Sequence, residues 1–258
     1  MGILNVTPDS FYASSRIALK GDQVLDKAKE MIQEGADILD VGGYSTRPNA
    51  EEVSEEEEIN RVLPAIQMIK ARFPDILVSI DTFRSTVAAN AVREGADIVN
   101  DISGGTLDES MLATVGRLDV PYIAMHMRGT PKDMQTQTHY EDILAEMLQY
   151  FGEKLSACKK AGIKDVIIDP GFGFAKTLEQ NYWILKNLSY FKIIQSPILA
   201  GVSRKSMIYK ILELNPEDAL NGTTALHMAA LINGANILRV HDVKEAVQTI
   251  TLYKQLYP

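Results

Sequence analysis

EGADILDV (Glu34–Val41), EGADIVND (Glu94–Asp101) and NGANILRV (Asn233–Val240) are one phrase written three times in 258 residues. Each reads as a helix end, a glycine able to take the left-handed cap, and then a buried strand. The strands within them are ILDVGG (38–43), IVND (98–101) and ILRVH (237–241). Five more runs share that character: ILNV (3–6), LVSID (77–81), YIAMH (122–126), VIIDP (166–170) and ILAGVS (198–203). The apolar residues do not alternate with polar ones, so these strands are covered on both faces, as a parallel sheet requires. Helix-patterned sequence follows each. Eight strand–helix units in about 250 residues make a (β/α)8 TIM barrel, an α/β single domain expected here over residues 1–258. Its chemistry belongs at the C-terminal ends of the strands, where each run closes on a polar residue.

Bulk properties narrow the partners. The chain is 46% hydrophobic, enough to bury a large core. No apolar run approaches the roughly 18 residues of a membrane span. The start, MGILNVTPDS, has neither the pattern of a signal peptide nor that of a myristoylation site. A single cysteine, Cys158, fits a reducing, cytoplasmic setting. The net charge of −8 argues against a nucleic-acid surface; an anionic small substrate would need a local basic site. The acidic run Glu51–Glu58 reads as a solvated helix start, with Ser54 and Glu57 as a capping box. Asp242 with Glu245 repeats that device, and Asn215-Pro216 reads as an N-cap before Pro.

The strand ends carry the candidates. Asn5 closes the first strand and is a polar or metal contact, or a cap of its own loop. After the second strand Thr46, Arg47 and Pro48 offer a hydroxyl and a guanidinium suited to an oxyanion. Asp is disfavoured inside strands and costly to bury unpaired, so Asp81, Asn100 and Asp169 converging on one mouth need a reason. Asp101 is a candidate cap. The three suit a ligand rich in N–H donors, such as an aminopyrimidinone; a divalent metal is the alternative. Gly171-x-Gly173 lacks the third glycine of a dinucleotide loop. Near strands seven and eight, where barrels commonly bind phosphate, stand Ser203, Arg204, Lys205 and Ser206 at a helix start, with Arg239 and His241 on alternate positions of the last strand. That grouping reads as an anion site.

With these residues assembled, the chain resembles the dihydropteroate synthase family along essentially its whole length. The matching stretches, in the family's order, are GILNVTPDSF, GGYSTRP, IDTFR, VNDISG, MHMRGTP, DPGFGFAK, GVSRKSM and RVHDV. The resemblance implies condensation of 6-hydroxymethyl-7,8-dihydropterin pyrophosphate with para-aminobenzoate, through a pterin cation, in folate synthesis. It implies sulfonamides as inhibitors, Mg²⁺ near Asn5, and a homodimer packed through late helices. It assigns the pterin edge to Asp81, Asn100, Asp169 and Lys205, its faces to Met125 and Arg239, and pyrophosphate to Asn5, Arg239 and His241. Thr46, Pro48, Phe174, Lys205 and Ser206 match positions around para-aminobenzoate. Asp81, Lys205, Arg239 and His241 are thereby the catalytic candidates.

The chain departs from the family in three places. YASSR (12–16) replaces a common Ser-Asp-Gly-Gly, removing an acidic partner for Arg47. Tyr44 stands where many members carry Glu, and Ala175 where many carry Gly, both expected to retune the arylamine pocket. The chain begins at the first strand, where members usually have a short preceding segment. A folate-dependent methyltransferase shares the acidic and amide strand ends but has no pyrophosphate to hold. A non-catalytic pterin-binding paralogue needs no arylamine or pyrophosphate site, whereas Asn5, Thr46, Arg47, Lys205, Arg239 and His241 are all retained. The synthase is the reading these residues favour.

Overall fold

A computed structural model describes residues 1–6, 17–44 and 53–258. In chain order these form β1 (Gly2–Asn5), α1 (Ile17–Gln33), β2 (Ile38–Gly42), α2 (Glu55–Arg72), β3 (Leu77–Asp81) and α3 (Ser85–Arg93). Next come β4 (Ile98–Asp101), α4 (Met111–Leu118), β5 (Tyr122–Met125), α5 (Ile143–Ala161), β6 (Val166–Asp169) and α6 (Leu178–Lys186). The last part holds β7 (Leu199–Ala200), α7 (Ser206–Leu212), α8 (Leu220–Ile232), β8 (Ile237–Leu238) and α9 (Val243–Leu256). β1 to β6 form a parallel sheet in sequence order and β7 pairs with β8. Bridges from Gly2 to Val240 and from Ile168 to Ile198 close these into a single-domain (β/α)8 barrel. The expected seventh and eighth strands are shorter than their apolar runs, because regular pairing stops at Ala200 and Leu238.

The repeated phrase earns its recurrence twice over. Gly35, Gly95 and Gly234 sit at φ +99, +109 and +105, where a side chain would be strained. At each, the following amide bonds back to the preceding helix: Ala36 to Met31, Ala96 to Ala91 and Ala235 to Ala230, all at 2.9 Å. Helix carbonyls left over at the C-terminus are thereby satisfied. The fourth residue then clamps a neighbouring strand. Asp97 Oδ2 accepts from Val78 N at 2.8 Å, and Asn236 Oδ1 accepts from Ile198 N at 2.9 Å.

The barrel floor is apolar, with Ile98, Ile123 and Leu199 buried and Ile38, Ile167 and Ile237 packed against them. Burying such a side chain is worth about 1.5–3 kcal/mol. Two cap readings change. Ser54 Oγ does accept from Glu57 N, but the Glu57 carboxylate pairs with Arg61. Glu58 is not solvated: it is fully buried and bonded to Arg84 at 2.6 Å. Asp242 gives its carboxylate to Arg204 and makes no side-chain cap bond. Asn215 and Pro216 do open a short 3₁₀ turn, as N-cap position and N1.

Candidate functional site

Strand register builds the site in rows. Asn5, Gly42, Asp81 and Asn100 pair in succession across β1 to β4, forming one row at the barrel mouth. Two residues below, on the same side of each strand, lie Ile3, Asp40, Ser79 and Ile98. Met125 pairs with Asp169 across β5 and β6. A cluster of Ile102, Met125, Met127, Met134 and Ala175, with Phe83 and Phe174 against it, walls that side with apolar surface.

Arg239, just beyond β8, crosses the barrel to tie the rows together. Its Nε donates to Asp40 Oδ2 at 2.6 Å and its Nη2 to Asp81 Oδ2 at 2.5 Å. Asn100 Nδ2 donates to the same Asp40 oxygen at 3.1 Å. Burial drives the Asp81 carboxyl up to about 7, against the pull of Arg239 and with the push of Asp40. The two carboxylates outweigh the desolvation of Arg239 and hold its guanidinium charged. Asp169 accepts from Gly171 N at 2.7 Å, and burial raises it against the nearby Lys205. Lys205 donates to Phe172 O, lies 5.0 Å from the Phe174 ring centroid, and is lowered by burial to about 8 despite Asp169. Three carboxyls, Asp40, Asp81 and Asp169, thus face Arg239 and Lys205 in one buried cradle, where burial raises both Asp81 and Asp169.

The anion side is narrower than the sequence indicates. Arg204 does not contribute, since its Nε and Nη2 each donate to Asp242 at 2.8 Å and Nη1 to Pro216 O at 3.0 Å. His241 contacts Ser203 twice, through its backbone N–H at 3.1 Å and its Nδ1 at 3.0 Å. Ser206 is the first residue of α7. Asp101 is a structural residue, accepting from Ser103, Gly105 and Tyr122; Ser110 holds the cap position of the next helix. Thr46, Arg47 and Pro48, with the altered YASSR loop, lie outside the described residues. Tyr44 packs edge-on to Phe83 under Arg84, rather than as a pocket acid would. Ala175 sits at φ +49, the conformation that favours the glycine common in its place.

Sequence reasoning missed three residues here. Asp40 is fully buried and orients both Arg239 and Asn100, with Oδ1 unpartnered among the described residues. The rule that singled out Asp81 and Asp169 would have found it within ILDVGG. His126 and Lys176 meet in a buried contact, Nζ to Nδ1 at 3.0 Å. Only the folded loop shows it.

A family model described as pterin binding enzyme matches residues 1–241. The dihydropteroate synthase of Synechocystis sp. is 45% identical over 96% of this chain and 86% of its own. That of Escherichia coli K12 is 43% identical over 97% and 88%. A Clostridium difficile dihydropteroate synthase solved in the presence of pteroic acid superposes with a TM-score of 0.94 at 38% identity, covering 100% of this chain and 95% of that one. The Yersinia pestis enzyme in a sulfonamide drug complex gives 0.93 at 39%, covering 99% and 93%.

Proposed function

The chain belongs to the dihydropteroate synthases of the pterin binding enzyme family, and from that membership we infer how its mouth works. It condenses 6-hydroxymethyl-7,8-dihydropterin pyrophosphate with para-aminobenzoate, giving 7,8-dihydropteroate and pyrophosphate. The observation that carries the mechanism is the convergence of Asp40, Asp81 and Asn100 on Arg239's side of one buried cradle, with Asp169 and Lys205 beside them. Asp169 and Asn100 read the N–H and carbonyl edge of the pterin, with the Lys205 ammonium donating beside them. Met125 supplies an apolar face. The C–O bond to pyrophosphate breaks first, leaving a cation delocalised over the pterin, which Asp81 stabilises as a fixed charge. The neutral arylamine then forms the new C–N bond and loses its proton to solvent. No acid–base triad is needed for this sequence of steps.

Pyrophosphate departs toward Arg239 and His241. Arg239 uses Nε and Nη2 on Asp40 and Asp81, which leaves its Nη1 edge for a phosphate oxygen. The family implies Mg²⁺, and the donor chemistry at Asn5 fits it. A Cβ placed on Gly42 would stand 3.5 Å from Asn5 Oδ1 and 3.7 Å from Asp81 Oδ2, so the bare glycine keeps a gap between two oxygen-bearing side chains. Among the described residues no three acidic, His or Cys side chains cluster to cage a metal, so phosphate oxygens and water would complete the shell. Bound there, Mg²⁺ would neutralise the leaving group. Asn5 orients it.

Lys205 serves both substrates, its ammonium on the pterin and its stem against the arylamine beside Phe174 and Ser206. Lys205→Met keeps most of the stem and deletes the charge. Calorimetry is expected to show para-aminobenzoate affinity better preserved in Lys205→Met than in Lys205→Ala, with pterin binding weak in both. Equal loss of the arylamine in the two would mean the stem contributes nothing. The sulfonamide-bound Yersinia pestis relative supports the same pocket as the site of sulfonamide action. Ile211, Leu212, Leu252 and Leu256 are exposed on α7 and α9, which supports a homodimer through the late helices. No helix among the described residues is long and apolar enough to cross a membrane, and the one buried cysteine suits a cytoplasmic enzyme. Incubating the purified protein with the two substrates and Mg²⁺ tests the reaction. Dihydropteroate and pyrophosphate are expected in equal amounts, and their absence overturns the assignment.

A further inference from the structure

The loop from β6 to α6 encloses a lysine amine that the reaction as described does not use, and burial pushes it well below the ordinary lysine range against the pull of Asp169. Lys176 is 4% exposed, and its Nζ donates to Phe174 O at 2.9 Å, Gly171 O at 3.0 Å and His126 O at 3.3 Å. His126 Nδ1 lies 3.0 Å away. Three carbonyls and one ring nitrogen thus surround this amine, a set of partners that can hold an ammonium charged against its burial. The loop is wound to make this cage. Gly171, Gly173 and Ala175 all have positive φ, at +68, +83 and +49. A Cβ on Gly171 would stand 2.2 Å from His126 O, so glycine is what lets the two segments approach. Gly173 N donates to Asn181 Oδ1 at 2.7 Å, and Tyr140 Oη donates to Ala175 O at 2.9 Å. Between the two caged carbonyls stands that of Phe172, which accepts from Lys205.

We propose that Lys176 is a positioning residue, an internal cation around which this loop folds, setting Lys205 through the Phe172 carbonyl and the Phe174 ring through the adjoining one. The proposal rests on the synthase reading for the roles of Lys205 and Phe174. His126 completes the cage: burial first, then the neighbouring Lys176 charge, lowers its imidazole to about 2. The ring is therefore neutral, with Nδ1 accepting and the proton on Nε2. Neither residue touches the reacting atoms. Their effect passes through backbone carbonyls to the one side chain shared by both substrates.

Two measurements test it. In the wild type, nitrogen NMR of His126 is expected to show the Nε2–H tautomer; an Nδ1–H ring would make Lys176 the acceptor and overturn the cage. Kinetically, Lys176→Met is expected to lose about 10²-fold in kcat/KM, mostly through KM, as misplacement of a binding group does. Lys176→Arg should recover part of that loss. In a Lys205→Met background the further loss should nearly vanish, since the two act in series. Unchanged kinetics in Lys176→Met, or fully additive losses, would overturn the proposal. If Lys176→Met shows no cooperative unfolding, Lys176→Ala refolded in methylammonium chloride replaces it. Turnover restored by the added cation supports the cage, and turnover indifferent to it does not. Absence of product from the wild type removes the synthase reading itself, whereas wild-type turnover with an unaffected Lys176→Met removes only this inference.

Discussion

Arg239→Leu is expected to destabilise the barrel by roughly 3–5 kcal/mol, the cost of leaving a buried charge without its partner. Here two carboxylates lose theirs, because Asp40 and Asp81 both accept from this guanidinium. Burial already pushes Asp81 upward and Arg239 opposes that rise, so the variant's carboxyl rises further. The sign follows. A folded value raised above the ordinary 3.8 contributes stability that is complete below 3.8 and lost as pH rises through the folded value. The variant's deficit should therefore be largest at alkaline pH and shrink toward about pH 5. Denaturant unfolding across that range measures it directly. A deficit under about 0.5 kcal/mol at every pH would place Arg239 among ordinary surface residues. Turnover should vanish with the cation that meets pyrophosphate. Arg239→Lys keeps the charge without the fork, so it should recover stability better than activity.

Asp81→Asn is expected to lower kcat by about 10²-fold while the protein still folds. Its charge faces a substrate that turns cationic only as pyrophosphate leaves. Asp169→Asn provides the contrast, losing mainly ground-state binding, about 1.5–3 kcal/mol for charge-assisted hydrogen bonds to the pterin. The wild-type pH profile locates the same groups. With Asp81 titrating at about 7 and Lys205 at about 8, kcat/KM for the pterin substrate should rise through the first value and fall through the second. Asp81→Asn should lose the acid limb and Lys205→Met the basic one. An acid limb that persists in Asp81→Asn would assign it elsewhere. The linkage also shows an internal conflict: ionising Asp81 activates the site and, by the sign given above, withdraws stability from the fold.

Much of this was legible in the sequence, for reasons that differ by residue. The strands and their order follow from local patterning, because apolar runs bounded by glycine caps leave little choice. Asp81, Asn100 and Asp169 stood out as polar residues where a buried strand resists them. Asp40 met the same criterion and was overlooked inside a longer run. Glu58 was also readable, since it shares a helix face with Val62, Ala65, Ile66 and Ile69. Arg204 was not readable. Its neighbours spell an anion site, and only the fold brings Asp242 to claim it. Lys176 was beyond reach for a similar reason, because its partners are carbonyl oxygens, which every sequence carries and only a loop conformation aims.

The barrel's wall is uneven. From β1 to β6 adjacent strands pair over three to five residues, whereas β7 and β8 pair over two and join the rest through single bridges. Local opening is cheapest where backbone pairing is sparse, so that quarter is the part that parts from the body first. It is also the quarter that carries Lys205, Arg239 and His241. On the roles proposed above, a ligand held by these residues and by the acids of β3 and β6 would span the weak seam and favour the closed form. Occupancy then adds closing energy that grows with the logarithm of ligand concentration. The substrates would then act as the missing rungs of the wall, and the occupied barrel is expected to open less readily than the empty one.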